Sequence, residues 1–227
     1  MNGANNMTTF QDAVRRQESL LALPERKALR WLACRMPRWI HPDHLTLLGF
    51  AATALAGLCY AGARWWAPSL PLVNLWLAVN WFGDSLDGTL ARVRGTLRPR
   101  YGFYVDHMVD AFGAVFLIGG LATSGLMSER VAVSLLVAFL LLAIHTYLAT
   151  YTDGRFQLSI WQFGPTELRI LLIVGNCYAY ARPVVRVFGR YWLFFDVAGT
   201  VAAASMFTVL VAVVARQTVQ LYRAERI

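Results

Sequence analysis

Long apolar segments recur along the chain, and they constrain its fold more than any other feature of the sequence. Hydrophobic residues make up 57% of the 227 residues and charged residues 15%, against roughly 25% charged residues in an ordinary soluble domain. Each segment is close to the length of about 20 residues that a helix needs to cross a bilayer. We therefore predict an all-α integral membrane protein with six transmembrane helices. The predicted spans lie at about 45–65, from Leu70 into the acidic stretch near 84, from Gly102 through the next apolar run, and at about 131–152, 166–182 and 192–215.

The segment ahead of the first span, residues 23–40, carries apolar and basic residues at helical spacing. Leu29 and Leu32 share one face, whereas Arg26 and Arg30 lie mostly elsewhere. This pattern is typical of an amphipathic helix that lies in the membrane interface with its arginines on lipid headgroups. We expect it at the cytosolic face of the membrane.

The chain divides at the start of the first span. We predict an N-terminal segment, 1–44, that contains the amphipathic juxtamembrane helix, and a six-span catalytic membrane domain, 45–227. The first 20 residues are polar and lack the apolar core of a cleavable signal peptide, so we expect insertion through the uncleaved spans.

Basic residues are unevenly distributed between the predicted loops. The net charge is +8, and most of the basic residues precede the first span, lie in the link 92–100, or follow the sixth span. Positive loops favour the cytosolic side, which places both termini and the 92–100 link there, in a multi-pass protein of the cell (inner) membrane. The cluster at 182–190 falls on the other side and runs against this bias. Arginines that flank spans contact anionic headgroups, so we expect the bilayer as partner and no nucleic acid.

Two pairs of aspartates interrupt the second and third spans. Asp84 and Asp87 are three residues apart, and Asp106 and Asp110 are four apart, so each pair lies on one helix face. Carboxylates at membrane depth are costly unless a cation offsets them. One set of candidate partners is local and consists of Arg92, Arg94, Arg98 and Arg100. The other candidate is Mg²⁺ or Mn²⁺, because these hard cations prefer oxygen ligands. Two such ions, about 4 Å apart, would clamp a diphosphate.

At these residues the chain resembles the CDP-alcohol phosphotransferase family. That family's signature runs D-x-x-D-G-x-x-A-R and then G-x-x-x-D-x-x-x-D, and every fixed position is present between Asp84 and Asp110. The gap between Arg92 and Gly102 is nine residues, one longer than the usual pattern of about eight, which affects the shape of the turn. The six-span layout with a preceding amphipathic helix also looks like the family.

The resemblance implies a transferase of substituted phosphate groups in phospholipid biosynthesis. A CDP-linked donor, typically CDP-diacylglycerol, binds through its diphosphate to two Mg²⁺ or Mn²⁺ ions, an acceptor alcohol attacks the β-phosphorus, and CMP leaves. Carried over by position, Asp84, Asp87, Asp106 and Asp110 are metal ligands, and Asp110 is also the catalytic general base. The residues that would border the CDP moiety are Gly88, Ala91, Arg92 and Gly102. The resemblance further implies a homodimer.

Further polar residues fall at the cytosolic ends of the fourth and fifth spans. Because an acceptor alcohol needs polar contacts beside the aspartates, we predict that they line its pocket: His145, Thr150, Asp153, Thr166, Glu167 and Arg169. His107, next to Asp106, lies about 100° away from it on a helix, so we interpret it as a residue outside the metal site.

Two other functions fit parts of the pattern. A membrane transporter could use the acidic stripe as an ion site, although all four aspartates lie towards one end of the spans rather than at the midplane. An inactive family member could act as a scaffold, against which the complete signature argues. The sequence leaves the acceptor open among inositol phosphate, glycerol phosphate, serine and an aminoalcohol, and the donor open between CDP-diacylglycerol and a CDP-linked headgroup.

Overall fold

The computed structural model describes residues 22–153 and 165–225, and this part of the chain is almost entirely helical. The helices are α1 (Ala22–Arg35), α2 (Pro42–Gly62), α3 (Ser69–Val93), α4 (Pro99–Thr123), α5 (Glu129–Asp153), α6 (Pro165–Ala181) and α7 (Phe194–Ala224). The six long helices follow the six predicted apolar segments within a few residues at most ends. The last one continues nine residues past the predicted end at 215, since the amphipathic tail of α7 extends the same helix.

A small β-hairpin, which the sequence did not predict, precedes α7. Strand β1 (Val184–Val187) pairs antiparallel with β2 (Arg190–Leu193). The two turn residues, Phe188 and Gly189, have φ angles of 48° and 80°, as a tight two-residue hairpin turn requires. The predicted start of the sixth span at 192 is therefore wrong by two residues, because Trp192 and Leu193 belong to the hairpin.

Four of the described helices are long and apolar enough to cross a membrane: α2, α4, α5 up to Thr152, and α7. The remaining two long helices are more polar or shorter. Helix α3 carries Asn74 and Asn80 besides its aspartates, and α6 has 17 residues. The chain is thus an all-α protein with several membrane-spanning helices.

Helix α2 packs between α3 and α4 at very short distances. A Cβ atom on Gly83 of α3 would lie 2.6 Å from the Leu45 carbonyl oxygen and 2.7 Å from the Gly49 nitrogen of α2. Gly120 of α4 approaches the backbone of Gly57 in the same way. Small residues at such crossings let helix backbones meet in lipid. Helices α3 and α4 are therefore both held against one central helix.

A buried apolar cluster fixes α1 against this centre. Leu29 and Ala33 of α1 pack with Leu45 of α2 and with Leu86 and Leu90 of α3, which places α1 beside the acidic half of α3.

At the other end of the bundle, the Tyr60 hydroxyl donates to Asn176 Oδ1 at 2.7 Å, and Asn176 Nδ2 donates to Asn74 Oδ1 at 2.8 Å. Asn176 and Tyr60 are nearly inaccessible. Because a buried polar network is stable only when its members are paired, it sets the position of α6 against α2 and α3.

Candidate functional site

The first aspartate pair lies on the half-buried face of α3 that meets α2. The Thr46 hydroxyl of α2 donates to Asp87 Oδ2 at 2.6 Å, and the Gly88 amide donates to Asp87 Oδ1 at 2.5 Å. Thr46 reaches Asp87 because the contact of Gly83 with Leu45 and Gly49 brings the start of α2 alongside it. Both oxygens of Asp87 are thus oriented by short contacts.

Asp84 pairs with an arginine from a distant helix. Arg169 Nη2 of α6 donates to Asp84 Oδ2 at 2.5 Å, and Arg169 Nε donates to Asn80 Oδ1 at 2.7 Å. Asn80 is itself held by α2, since its Nδ2 donates to the Gly49 carbonyl at 3.0 Å and to Thr53 Oγ1 at 2.7 Å. This network fixes the Arg169 guanidinium against Asp84 and Asn80.

The second pair, on α4, lies close to the first. Asp84 and Asp106 are both within electrostatic range of the Asp87 carboxylate. Asp106 and Asp110 are both within range of the Tyr147 hydroxyl of α5. Asp106 of α4 thus lies near the α3 pair, and Asp106 and Asp110 both lie near Tyr147.

His107 contacts its own helix and Tyr147 of α5. Its Nδ1 lies 2.6 Å from the Phe103 carbonyl oxygen one turn earlier. Its ring meets the Tyr147 ring edge-on at 4.7 Å between centroids. His107 thus helps to place Tyr147.

Three of the four candidate CDP-binding residues lie together on α3. The Arg92 guanidinium extends back over Gly88, within 3.4 Å of the position that a Cβ of Gly88 would take. Ala91 is buried. Gly102, near the start of α4, has open space where a Cβ would be, as a residue that borders a bulky ligand needs.

The six predicted acceptor residues have different surroundings. Arg169 contacts Asp84 directly, and Glu167 is buried on α6. Thr166 instead donates to Glu25 of α1 at 2.7 Å, and Thr150 donates to the backbone carbonyl of Thr146. His145 is half-buried on α5, and the side chain of Asp153 lies outside the described residues. The structure thus brings Arg169 to Asp84. The hydroxyls of Thr166 and Thr150 instead donate to Glu25 and to the Thr146 carbonyl.

Glu25 and Thr46 contribute to the site without having been predicted. Glu25 Oε1 accepts hydrogen bonds from Trp81 Nε1 at 2.8 Å and from Thr166, with Ser85 Oγ at 3.4 Å. It therefore ties α1 to α3 and α6 beside Asp84. In the sequence, Glu25 is distinguished only as a carboxylate within a basic amphipathic segment. Its partners lie more than 50 residues away in the chain, so the sequence does not indicate them.

The link arginines Arg94 and Arg98 have partners other than the site aspartates. Arg94 donates to the carbonyl oxygens of Met36, Pro37 and Ile40, and so holds the turn between α1 and α2. Arg98 pairs with Asp43. Together with neighbouring residues they line an open cavity of about 760 Å³ next to the start of α2. Arg94 and Arg98, two of the four local candidates, thus have other partners, and Asp84 pairs with Arg169 of α6.

Comparison with known proteins agrees with the signature between Asp84 and Asp110. No protein-family model matches the chain. Over 120 residues, which are 53% of this chain, it is 32% identical to archaetidylinositol phosphate synthase of Pyrococcus horikoshii. Over 107 residues it is 29% identical to cholinephosphotransferase 1 of Xenopus laevis. The chain is therefore similar to members of the CDP-alcohol phosphotransferase family. It spans 57% of the length of the first relative and 26% of the second.

The fold agrees with that of a solved structure. A crystal structure of Mycobacterium tuberculosis phosphatidylinositol phosphate synthase with CDP-DAG bound superposes with a TM-score of 0.51 at 20% identity. The match covers 87% of this chain and 92% of that one. This chain and that enzyme therefore share an overall helical arrangement.

The resemblance to CDP-alcohol phosphotransferases implies divalent metal, and the donors are of the right kind. Carboxylate oxygens suit Mg²⁺ and Mn²⁺. Their arrangement does not fit: within residues 22–153 and 165–225, no three Asp, Glu, His or Cys side chains are grouped closely enough to hold a metal ion.

Proposed function

We propose that this protein transfers a substituted phosphate group from a CDP-linked donor, first of all CDP-diacylglycerol, to an acceptor alcohol and releases CMP. The observation that supports the proposal is the placement of Asp84 and Asp87 of α3 against Arg169 and Thr46, with Asp106 of α4 near Asp87. The relatives in Pyrococcus and Xenopus support it by their names.

In the proposed reaction, Asp110 removes the proton from the acceptor hydroxyl. The freed oxygen forms a bond to the β-phosphorus of the donor as the bond from that phosphorus to the CMP oxygen breaks. A carboxylate that accepts a proton in this way contributes about 10²–10⁴-fold to a rate. Asp110 suits the role because it lies deeper in α4 than Asp106, on the same face.

The remaining site residues orient the donor. Gly88, Ala91, Arg92 and Gly102 would border the CDP moiety, with the Arg92 guanidinium over Gly88 in reach of phosphate oxygens. On the family resemblance, the residues that would hold two Mg²⁺ or Mn²⁺ ions are Asp84, Asp87, Asp106 and Asp110, although the described side chains are not grouped closely enough for this in the structure. Such ions would supply positive charge against the diphosphate. The acceptor would meet Arg169 first, with His145, Thr150, Asp153, Thr166 and Glu167 as further candidates.

The proposal includes a placement in the membrane. Helices α2 to α7 would form the six spans of a catalytic domain over 45–227, and α1, within 1–44, would lie at the interface. Both termini and the site would face the cytosol from the inner membrane. A homodimer is proposed on family resemblance.

Release of CMP tests the function. Purified protein in lipid is incubated with Mg²⁺ or Mn²⁺ and either CDP-diacylglycerol plus inositol phosphate, glycerol phosphate, serine or an aminoalcohol, or a CDP-linked aminoalcohol plus diacylglycerol. We expect acceptor-dependent CMP release in one arm and none for Asp84→Asn. CMP release in no arm, together with ion flux into vesicles, would favour the transporter instead.

A further inference from the structure

A fully exposed phenylalanine forms the tip of the β1–β2 hairpin. Phe188 is 100% exposed, and its φ of 48° lies in the left-handed region, which is unfavourable for a bulky side chain. Two-residue turns of this kind usually have Asn or Asp before the glycine. The ring of Phe188 thus has neither a favourable backbone nor an apolar contact in the described part of the chain, and surroundings outside the protein would have to stabilise it there.

Three arginines accompany this tip, and no carboxylate lies near them in the sequence. Arg182 precedes β1, Arg186 and Arg190 lie in the two strands, and residues 181–195 contain no Asp or Glu. All three arginines are exposed, and none forms an ion pair with a residue that the structure describes. The next acidic residue, Asp196, already accepts a backbone amide from the start of α5 at 2.6 Å. The hairpin therefore presents positive charge that the chain does not neutralise, and such charge attracts anionic groups.

The hairpin lies where α7 enters the membrane. It continues directly into α7, which is long and apolar enough to span a bilayer. Two exposed tryptophans, Trp65 and Trp66, lie in the turn after α2 at the same end of the bundle, because Tyr60 of α2 meets Phe195 of α7 edge-on with ring centroids 6.4 Å apart. Tryptophans are typical of the membrane–water interface. The aromatic and basic residues of the hairpin are thus close to the level of the lipid headgroups.

We propose that the β1–β2 hairpin lies along the membrane surface and binds anionic lipid, with the Phe188 ring inserted at the boundary of the acyl chains and the three arginines on lipid phosphates. The phosphates supply the negative charge that the arginines lack within the chain, and the acyl chains supply the apolar surroundings that Phe188 lacks. Arginine reaches headgroups from such a position by extending its apolar stem. Tyr191, opposite Arg186 in the hairpin, remains at headgroup level, where water-soluble reagents reach it.

This placement accounts for the basic cluster at 182–190, which runs against the charge bias of the other loops. Its charges bind the leaflet on their own side of the membrane. A second copy of the chain fits the hairpin less well than lipid, because a symmetric contact would bring the same arginines together and like charges repel. The inference concerns the end of the bundle opposite the aspartates and does not depend on the proposed reaction.

Spin-label depth measurements on the full chain in lipid nanodiscs test the position of the tip. In a background without the three native cysteines, a nitroxide on Val187→Cys, next to the tip, is compared with one on Thr96→Cys in the exposed link between α3 and α4. Collisions with oxygen report lipid, and collisions with a water-soluble nickel chelate report water. In discs of phosphatidylcholine with phosphatidylglycerol, we expect the label at 187 to lie about 5–10 Å below the phosphates, the depth of apolar groups at the interface, and the label at 96 to lie in water.

A change of the tip residue separates insertion from the shape of the turn. Phe188→Asn suits the left-handed backbone better than phenylalanine does, so the hairpin is kept while the ring is lost. We expect this variant to return the label at 187 to water and Phe188→Trp to keep it in lipid.

Lipid charge tests the arginines separately. In discs of phosphatidylcholine alone, the label at 187 should lie closer to water than in discs with phosphatidylglycerol, and the double variant Arg186→Gln with Arg190→Gln should abolish that difference. The matched control is Arg216→Gln with Arg223→Gln, which removes two charges from the far end of α7 and should leave the difference unchanged.

A label at 187 in water in both kinds of disc overturns the inference, as does a depth that Phe188→Asn leaves unchanged. Equal depth in both kinds of disc overturns the binding of anionic lipid by the arginines. Spin–spin broadening between labels at 187 that disappears on dilution with unlabelled protein would assign the tip to a second copy and overturn insertion into lipid. These results are independent of CMP release, so failure of the proposed function is recognised separately.

Discussion

Asp87 accepts a hydrogen bond from a neutral hydroxyl, whereas Asp84 accepts one from a charged guanidinium. The two carboxylates therefore differ in how far their negative charge is neutralised. The Thr46 hydroxyl donates to Asp87 at 2.6 Å, and it leaves the negative charge of the carboxylate in place. Arg169 cancels the charge of Asp84. Asp87 is thus the member of the α3 pair that α2 orients without cancelling its charge.

Replacement of Thr46 tests this orientation. Thr46→Val removes the hydroxyl but keeps the shape of the side chain, and a hydrogen bond to a charged group contributes about 1.5–3 kcal/mol. We expect kcat/KM for CMP release to fall by about tenfold or more, and Thr46→Ser to restore most of it. The control is Thr208→Val, whose hydroxyl bonds only to its own helix at Ala204. Equal activity of Thr46→Val and Thr208→Val would show that Asp87 does not need Thr46.

At the scale of helices, α2 positions the residues of the site. It contacts α3 through Gly83 and α4 through Gly120, and it supplies Thr46 to Asp87 and the Gly49 carbonyl to Asn80. A shift of α2 would therefore change the distance between the aspartate pairs and the hydrogen bonds to the α3 pair together.

Alanine substitutions at two helical glycines distinguish the effect of close helix packing on stability from the effect of helix propensity. A Cβ on Gly83 would lie 2.6 Å from the Leu45 carbonyl, whereas one on Gly119 meets nothing within 4 Å. Overpacking of a tight contact costs about 1–3 kcal/mol. We expect Gly83→Ala to lower the unfolding temperature and CMP release, and Gly119→Ala to leave both unchanged or to raise stability slightly. Wild-type stability of both variants would contradict the importance of the close contact between Gly83 and α2.

Helix faces could be predicted from the sequence, but contacts between helices could not. The spacing of Asp84 with Asp87 and of Asp106 with Asp110 depends only on helix geometry, so each pair was expected on one face. The partner of Asp84 was sought among neighbouring arginines, and it came from Arg169, 85 residues along the chain. Only tertiary packing decides such a contact. The hairpin at β1 and β2 was hidden because its apolar strands continue into the apolar sequence of α7.

At the scale of the whole molecule, the charge distribution predicts which end of the bundle faces the cytosol. Labelling of introduced cysteines tests it in a background without Cys34, Cys59 and Cys177. Thr96→Cys, in the link between α3 and α4, and Gln220→Cys, near the end of α7, should react with an impermeant thiol reagent only after cells are opened. Tyr191→Cys, in the exposed hairpin, should react in intact cells and serves as the control. Labelling of Thr96→Cys from outside would reverse the orientation.

The central claim is that the aspartates of α3 and α4 form one metal-dependent site in which Asp87 binds the donor and Asp110 takes the proton. The most direct measurement compares Asp87→Asn and Asp110→Asn for turnover and for binding of radiolabelled CDP-diacylglycerol in lipid with Mn²⁺. Asp110→Asn should lose turnover by a factor of about 10² or more, the scale of general-base loss, and keep much of its donor binding. Asp87→Asn should lose both, and EDTA should abolish turnover of wild type. Equal loss of donor binding in the two variants, turnover of Asp110→Asn near the wild-type rate, or full activity in EDTA would contradict this account.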